Sequence, residues 1–363
     1  MGLDTEFIPE NSYYPELALI QIAVADACFI VDPLAPLDLS PLYEVINAEE
    51  VIVVVHAGAQ DMGIFFHRTN APPRQVFDTQ IAASFLGMGH QIAYAALVQR
   101  LFNVSLAKGE SFTNWLKRPL KPEQLRYALD DVAYLVQAFE KMRSLLEQQG
   151  RLSWALDEMH HFEDASFYTA SASNPEKRVK KSGQMKGRDL VVLEALANWR
   201  EVEAQTKNLP RKKILSDYTI VDLARRKPDS VGELLSLRSA DQLARRYANV
   251  LIRIIAEAHT ALLPDKPQHS GSALDDEQKL LVEFISFCLK GFCLRENLAS
   301  TMIATRSELE SLVMNFYSGA FSPEHHRILN GWRKEAVGEN LLKCLRGQLG
   351  VRFNANDHRL QFF

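Results

Sequence analysis

Apolar residues in the first part of the chain form short runs and helical repeats. ALIQIAV (18–24) and CFIVD (28–32) are separated by a short polar turn, which predicts a β-hairpin. VIVVVH (51–56) is rich in β-branched residues and predicts a fully buried strand. Residues 60–67 and 80–86 have helical spacing. A hairpin followed by β–α units predicts a mixed sheet with helices on its faces.

A single long helix is predicted between Pro122 and Gly150. Proline suits the first turn of a helix, and glycine commonly ends one. Leu125, Leu129 and Val132 recur at intervals of three and four residues, so one side of this helix should face the core.

The remainder of the chain divides at polar breaks. Residues 166–188 are small, polar and basic without an apolar period, which indicates a linker. Two helical segments follow, each with a long first helix, a polar break and shorter helices, which predicts an internal duplication. We expect an α/β domain at 1–165, the linker at 166–188, small all-α bundles at 189–266 and 275–352, and a tail at 353–363.

Composition limits the class of protein. The chain has 363 residues, 47% hydrophobic and 24% charged, which is ordinary for globular proteins and predicts roughly two or three domains. No uncharged apolar run approaches the ~18 residues of a membrane helix. The four cysteines have no CxxC spacing, which argues against a disulfide framework and a structural zinc site. We expect a cytoplasmic protein without membrane association or an obligate protein partner.

Charge is distributed unevenly along the chain. The formal charge is −11 over residues 1–165, +7 over 166–267 and zero over 268–363. This division predicts that the first part holds cations and the middle part binds a polyanion. A highly charged, solvated surface is the alternative interpretation.

Two acids in LDTEF (3–7) are the first candidates for chemistry. Alternate residues of a strand share a face, so Asp4 and Glu6 point the same way. Two like charges ~4 Å apart repel by about 4 kcal/mol at an effective dielectric near 20. A divalent cation would remove this conflict, whereas a solvent-facing strand would avoid it.

Further acids lie at two later positions. In HAGAQD (56–61), Asp61 falls near the first turn of a predicted helix, where it is either a ligand or a cap. His56 is more often a hydrogen-bonded structural group than a ligand at such a strand end. Tyr127 and Asp131 are four residues apart and share a helix face, while Asp130 points elsewhere.

Asp4, Glu6, Asp61 and Asp131 together carry a charge of −4, which two divalent cations would balance. This balance is typical of two-metal phosphoryl-transfer sites. Oxygen ligands favour Mg²⁺ or Mn²⁺ over zinc. The hydroxyl of Tyr127 could orient the attacking water.

The segments LDTEF, HAGAQD and YALDDVAY, in this order, resemble the three motifs of the DEDD exonuclease superfamily. Tyr127 stands where other members have His, so the third motif resembles that of the tyrosine subclass. The flanking segments resemble bacterial ribonuclease D more specifically: YYPELALIQIA, FDTQIAASFLG and NWLKRPL. The family usually carries further residues before the first motif, so we expect a short first strand here.

The resemblance implies a ribonuclease H-like α/β exonuclease domain followed by two HRDC bundles. It implies 3′→5′ removal of nucleotides from RNA, with trimming of tRNA precursors as the typical role. Asp4, Glu6, Asp61 and Asp131 would be the metal carboxylates, with Asp4 bridging both ions. Tyr127 would position the water.

Candidate RNA contacts lie mainly in the basic middle segment, because Lys and Arg neutralise phosphates. They are Lys108, Arg211, Lys212, Lys213, Arg225 and Arg226. The third segment has zero net charge and is the weaker RNA candidate. Two alternatives stay open: the same chemistry on DNA, since no motif recognises a 2′-hydroxyl, and an RNA-binding protein that has lost catalysis.

Overall fold

A computed structural model describes residues 1–106, 113–169, 174–261, 274–319, 321–356 and 358–363. Among these residues, the first part of the chain contains one five-stranded sheet with strand order β3-β2-β1-β4-β5. Its strands are β1 (Gly2–Ile8), β2 (Glu16–Val24), β3 (Ala27–Val31), β4 (Val53–Val55) and β5 (Val76–Asp78). β1 pairs antiparallel with β2 and parallel with β4, so the sheet is mixed, as predicted.

The predicted hairpin and buried strand are confirmed by β2–β3 pairing and by the fully buried β4. β1 has seven residues, so the expectation of a short first strand was wrong. The helices of this domain are α1 (Ser40–Ile46), α2 (Ala59–Thr69), α3 (Thr79–Phe85), α4 (Tyr94–Phe102), α5 (Pro122–Asp130), α6 (Leu135–Gln148), α7 (Leu152–Met159) and α8 (Ala165–Thr169).

The helix predicted between Pro122 and Gly150 is in fact two helices. α5 ends at Asp130, and α6 begins at Leu135 after a turn. The sequence pattern missed this break because Val132 and Leu135 are both fully buried, so apolar spacing continues across the turn. The break places Asp131 at the C-cap of α5.

The first helical domain has a core of its own. Val179 and Met185, in the predicted linker, are buried in that core, and residues 175–178 and 182–184 form 3₁₀ turns. The linker prediction therefore holds only in part, since a portion of 166–188 packs with the following helices. These are α9 (Gly187–Lys207), α10 (Arg211–Ile214), α11 (Asp217–Arg226), α12 (Val231–Ser236), α13 (Gln242–Arg246) and α14 (Ala248–Thr260).

The second helical domain repeats the start of this layout. Its first three helices have 21, 4 and 12 residues, against 21, 4 and 10 in α9, α10 and α11. Its helices are α15 (Asp276–Glu296), α16 (Ser300–Ile303), α17 (Arg306–Tyr317), α18 (Gly331–Arg333) and α19 (Glu339–Leu345), with a π-helical turn at Lys334–Gly338. None of the helices in the described ranges has the length and apolar character of a membrane-spanning segment.

This second helical domain shares one continuous core with the α/β domain. The indole of Trp332 lies 4.7 Å from the ring of Phe85 and donates a 3.0 Å hydrogen bond to Glu158. Arg333, which is also buried, donates to both oxygens of Glu158 at 2.7 Å. The last helical unit is therefore fixed against the α/β domain.

The tail predicted at 353–363 is instead most of a hairpin. β6 (Val351–Asn354) pairs antiparallel with β7 (Arg359–Phe362). The prediction was wrong because the strands are only four residues long and gain their stability by packing on α15, where Phe362 stacks on Phe292 at 4.2 Å.

Candidate active site

The central strand β1 carries the first two candidate ligands. Asp4 pairs with Gln21 and Glu6 pairs with Leu19 on β2, so both acids lie on one face of the sheet. Leu19 packs with Ala128 of α5, which covers this face. A register shift follows Glu6, a bulge that ends the regular pairing beside the site.

Asp61 lies in the first turn of α2 and is only 7% exposed. The chain reaches α2 through a tight turn in which Ala57 has φ 56°. A Cβ on Gly58 would lie 2.4 Å from Cγ2 of Val55, so this position requires glycine. The local sequence thus brings α2 close to the end of β4.

A buried carboxylate on the next strand fixes that turn. Asp78 accepts hydrogen bonds from the N–H groups of Ala57 (3.1 Å) and Gly58 (3.0 Å). The same side chain caps α3 by accepting from Gln80 (2.8 Å) and Ile81 (3.3 Å). Asp78 therefore joins the start of α3 to the turn that leads into α2.

Thr5 positions Asp61 from β1. Its side chain lies on the face opposite Asp4 and Glu6, is buried, and donates its hydroxyl hydrogen to Oδ1 of Asp61. Thr5, between the two candidate ligands of β1, thus holds the carboxylate of a third candidate ligand.

Tyr127 and Asp131 meet at the end of α5, as their spacing predicts. The hydroxyl of Tyr127 interacts with the carboxylate of Asp131 and thereby opposes the rise that burial causes in the pKa of Asp131. Burial raises the pKa of Tyr127, and the charges on Asp131 and Glu6 raise it further. The phenol consequently keeps its proton at neutral pH.

The carboxylates form one interacting group. Burial raises the pKa of Asp4 well above its ordinary value, and the charges on Asp61, Asp131 and Glu6 add to the rise. Burial raises the pKa of Glu6 to about 8, again with contributions from Asp131 and Asp61. Burial likewise raises the pKa of Asp131 to about 7 and that of Asp61 to about 6.

These side chains do not form a closed metal cage: within the described ranges, no three His, Cys or acidic side chains form a ready-made metal-binding group. The chemistry of the donors nevertheless fits divalent cations. The buried carboxylate of Asp61 and the half-buried carboxylates of Asp4, Glu6 and Asp131 repel one another, and their oxygens are the ligands that Mg²⁺ and Mn²⁺ prefer.

His56 is a hydrogen-bonded structural group and not a metal ligand, which is the interpretation that its place at a strand end favoured. Its Nδ1 lies 2.9 Å from Oγ1 of Thr79, and its Nε2 lies 2.9 Å from the carbonyl oxygen of Ile92. Burial lowers the pKa of its imidazole. Neither ring nitrogen is left for a metal ion.

Sequence reasoning missed three residues beside the site: Thr5, Asp78 and Tyr94. The hydroxyl of Tyr94 accepts a 3.2 Å hydrogen bond from the N–H of Tyr134, in the turn after Asp131. Burial raises the pKa of Tyr94, and the charge on Asp131 adds to this. A signal existed only for Asp78, since an Asp between a strand and a helix is a typical N-cap.

The candidate RNA contacts differ in their surroundings. Lys108 lies outside the described residues. Arg211 forms a salt bridge with the carboxylate of Glu201, and Arg226 forms one with Asp222 at 2.9 Å. Lys212, Lys213 and Arg225 are exposed.

Two family models match the chain. Residues 1–147 match a 3′-5′ exonuclease model, and residues 189–255 match an HRDC domain model. A curated ribonuclease D of Sphingobium indicum is 38% identical over 358 residues, covering 96% of this chain and 90% of the relative. The chain belongs to the ribonuclease D family. Ribonuclease D of Zymomonas mobilis is 36% identical over 96% of this chain and 89% of the relative.

Solved structures agree with this assignment. The crystal structure of Escherichia coli ribonuclease D, described as an exoribonuclease involved in structured RNA processing, matches with a TM-score of 0.82 and 28% identity. It covers 95% of this chain and 92% of that one. A protein from Bifidobacterium adolescentis, at 22% identity and a TM-score of 0.63, shows the same fold.

The chain is thus a hydrolytic 3′→5′ exoribonuclease with an exonuclease domain followed by an HRDC domain. Its family acts on RNA and uses divalent metal ions.

Proposed function

We propose that Asp4, Glu6, Asp61 and Asp131 hold two divalent cations, Mg²⁺ or Mn²⁺, and that Tyr127 orients the attacking water. The observation that carries this proposal is the convergence of acidic side chains from β1, α2 and the end of α5, close enough for their charges to raise the pKa values of Asp4 and Glu6. A cluster of this kind is stabilised by cations of opposite charge.

Each side chain has a separate task in this proposal. When bound, the cations would supply an activated water and neutralise charge on the leaving oxygen. Thr5 fixes the carboxylate of Asp61 through its hydroxyl. Tyr127 keeps its proton, interacts with the carboxylate of Asp131, and offers its oxygen to the water. Hydrolysis at the 3′ end would release 5′-mononucleotides.

We further propose that the substrates are the 3′ ends of tRNA precursors. The exposed basic side chains of Lys212, Lys213 and Arg225 in the HRDC domain support this proposal. Cations away from the carboxylate site can hold the body of a structured RNA by binding its phosphates. The second helical domain, which repeats the helix lengths of the first, is proposed as a second HRDC domain. All four cysteines are free, which suits the cytoplasm.

Digestion of a 3′-extended tRNA precursor tests this function. The 5′-labelled precursor is incubated with protein and increasing Mg²⁺ or Mn²⁺, and the products are sized. We expect metal-dependent shortening from the 3′ end with release of 5′-mononucleotides, and a matched DNA strand should compete poorly. Internal cuts, shortening without a divalent metal, or equal digestion of DNA would contradict the proposal.

A further inference from the structure

The side chain of Gln21 is buried in the middle of β2 with an unpaired amide. The residue is 0% exposed, and neither its Nε2 nor its Oε1 forms a hydrogen bond in the part of the chain that the structure describes. In those same ranges the one other buried side-chain atom without a partner is Nε of Arg200, whose Nη1 donates to Asp217 and to Leu215. An unpaired amide inside a protein costs stability, so Gln21 is expensive for the fold unless its amide serves another purpose.

The strand register places this amide beside Asp4. Gln21 is the direct partner of Asp4 in the antiparallel pair of β1 and β2, so the two side chains project from the same face of the sheet. The Cβ atoms of such partners lie about 4.5–5.5 Å apart, which lets a carboxylate and a glutamine amide meet by side-chain rotation alone. On its other side Gln21 pairs with Ile30 of β3, whose side chain has no polar atom. Of the two cross-strand partners, only Asp4 can accept a hydrogen bond through its side chain.

Gln21 also lies beneath the break between α5 and α6. Leu19, two residues before it on the same face, packs against α5. Ala23, two residues after it, lies beside Leu135 at the start of α6. The turn that joins the two helices begins at Asp131, the C-cap of α5. The unpaired amide is therefore enclosed between β1 and the turn that carries another candidate ligand.

We propose that Gln21 is a positioning residue for hydrolysis, whose amide N–H donates to the carboxylate of Asp4 when that carboxylate holds a divalent cation. This role rests on the proposed function, in which Asp4 is a metal ligand. Carboxylates that bind metals are commonly oriented by hydrogen bonds from neighbouring side chains. A neutral amide orients Asp4 without cancelling the negative charge that attracts the cation, whereas a lysine or arginine at position 21 would compete with the cation for it.

Replacing the amide by an apolar group of similar length tests this role in the full-length protein. Gln21→Met removes both unpaired atoms, so in EDTA this variant should melt at the same temperature as the unaltered protein or at a higher one. Its affinity for Mn²⁺, measured from the electron paramagnetic resonance of the free ion, should fall about tenfold. Its kcat on a short RNA should fall by a similar factor, while KM changes by less than about twofold.

Gln124→Met is the matched control for stability and for metal binding. Gln124 is also buried, but its Oε1 accepts a 2.8 Å hydrogen bond from the N–H of Lys121 at the start of α5. This variant should therefore melt at a lower temperature than the unaltered protein and bind Mn²⁺ normally. Normal Mn²⁺ affinity in folded Gln21→Met would overturn the role of Gln21, whatever the melting temperature of that variant.

A crystal structure of the unaltered protein with Mn²⁺ decides the matter if Gln21→Met folds poorly or melts early. Nε2 of Gln21 should then lie about 2.7–3.2 Å from a carboxylate oxygen of Asp4. A separation beyond about 4 Å, with Mn²⁺ bound at Asp4, would refute the role of Gln21 and leave the proposed function intact. Failure of Mn²⁺ to bind at the carboxylates would instead refute the proposed function, and the role of Gln21 with it.

Discussion

The hydroxyl of Tyr13 donates a hydrogen bond to the buried carboxylate of Glu201. Tyr13 lies in the loop between β1 and β2, and Glu201 lies on α9 of the HRDC domain. Arg211 donates to the same carboxylate, and its guanidinium lies 4.8 Å from the ring centre of Tyr13. The strand that carries Asp4 and Glu6 is thus joined through its following loop to the HRDC domain.

Tyr13→Phe should loosen this junction without disturbing the active site. It removes the hydroxyl, which donates to Glu201 in a bond worth about 2 kcal/mol and accepts from Gln205 and Arg211 at 3.1 Å, and it keeps the ring under Arg211. We expect a KM for a structured RNA about threefold higher or more, with kcat on a dinucleotide unchanged. Tyr14→Phe is the matched control, because none of the described hydrogen bonds of Tyr14 uses its hydroxyl: its backbone N–H donates to Asn208, its carbonyl accepts from Ser12, and its ring contacts Tyr13 and His67. Equal effects on both substrates would argue against a docking role.

Replacing Lys212 and Lys213 together with Glu should weaken binding of long RNA. Both lysines are exposed, whereas the neighbouring Arg211 is engaged by Glu201. Loss of two phosphate contacts should lower the salt slope by about two. Titration of RNA at several salt concentrations measures this, with dinucleotide hydrolysis as the control for the active site. An unchanged salt slope would exclude these lysines as phosphate contacts.

Much of the fold follows from local patterns, whereas the arrangement of the domains does not. The runs at 18–24, 28–32 and 51–56 gave three strands because alternation and β-branched residues are local signals. The break after Asp130 was missed because burial continues through Val132 and Leu135. The shared core of the last helical domain depends on long-range pairs such as Arg333 with Glu158, which no spacing reveals.

Thr5→Val should reduce kcat about tenfold and leave KM nearly unchanged. The substitution preserves shape but removes the hydroxyl that holds Asp61, and loss of such supporting groups typically costs tenfold or more. Steady-state kinetics on a short RNA at saturating Mn²⁺ measures the change. Thr69→Val is the matched control, because that hydroxyl bonds to Phe65 at the far end of α2. A normal kcat for Thr5→Val would show that Asp61 needs no such support.

Gly58→Ala should destabilise the exonuclease domain by about 1–3 kcal/mol, since its Cβ would collide with Val55. Gly63→Ala, one turn further along α2, should instead be neutral or stabilising by up to about 1 kcal/mol. The nearest atom to a Cβ at Gly63 is 3.9 Å away, on Tyr168. Thermal unfolding distinguishes the two, and equal melting temperatures would contradict the close contact at Gly58.

The candidate site was predictable where spacing within one element decides it. Tyr127 lies on α5 and Asp131, four residues later, is the C-cap of that helix, while Asp4 and Glu6 lie two residues apart on β1. The hydrogen bond from Thr5 to Asp61 joins a strand to a helix. The alternation of side chains along β1 shows only that Thr5 points away from Asp4 and Glu6, and it does not reveal the partner on α2. Supporting contacts of this kind depend on how elements pack.

Digestion of 5′-labelled RNA by Asp131→Asn tests the carboxylate site most directly. Asp130→Asn is the matched control, because Asp130 is the adjacent acid and lies outside the proposed ligand set. We expect Asp131→Asn to keep its fold by circular dichroism and lose nearly all 3′→5′ digestion, while Asp130→Asn stays active. Unimpaired digestion by folded Asp131→Asn would contradict the account.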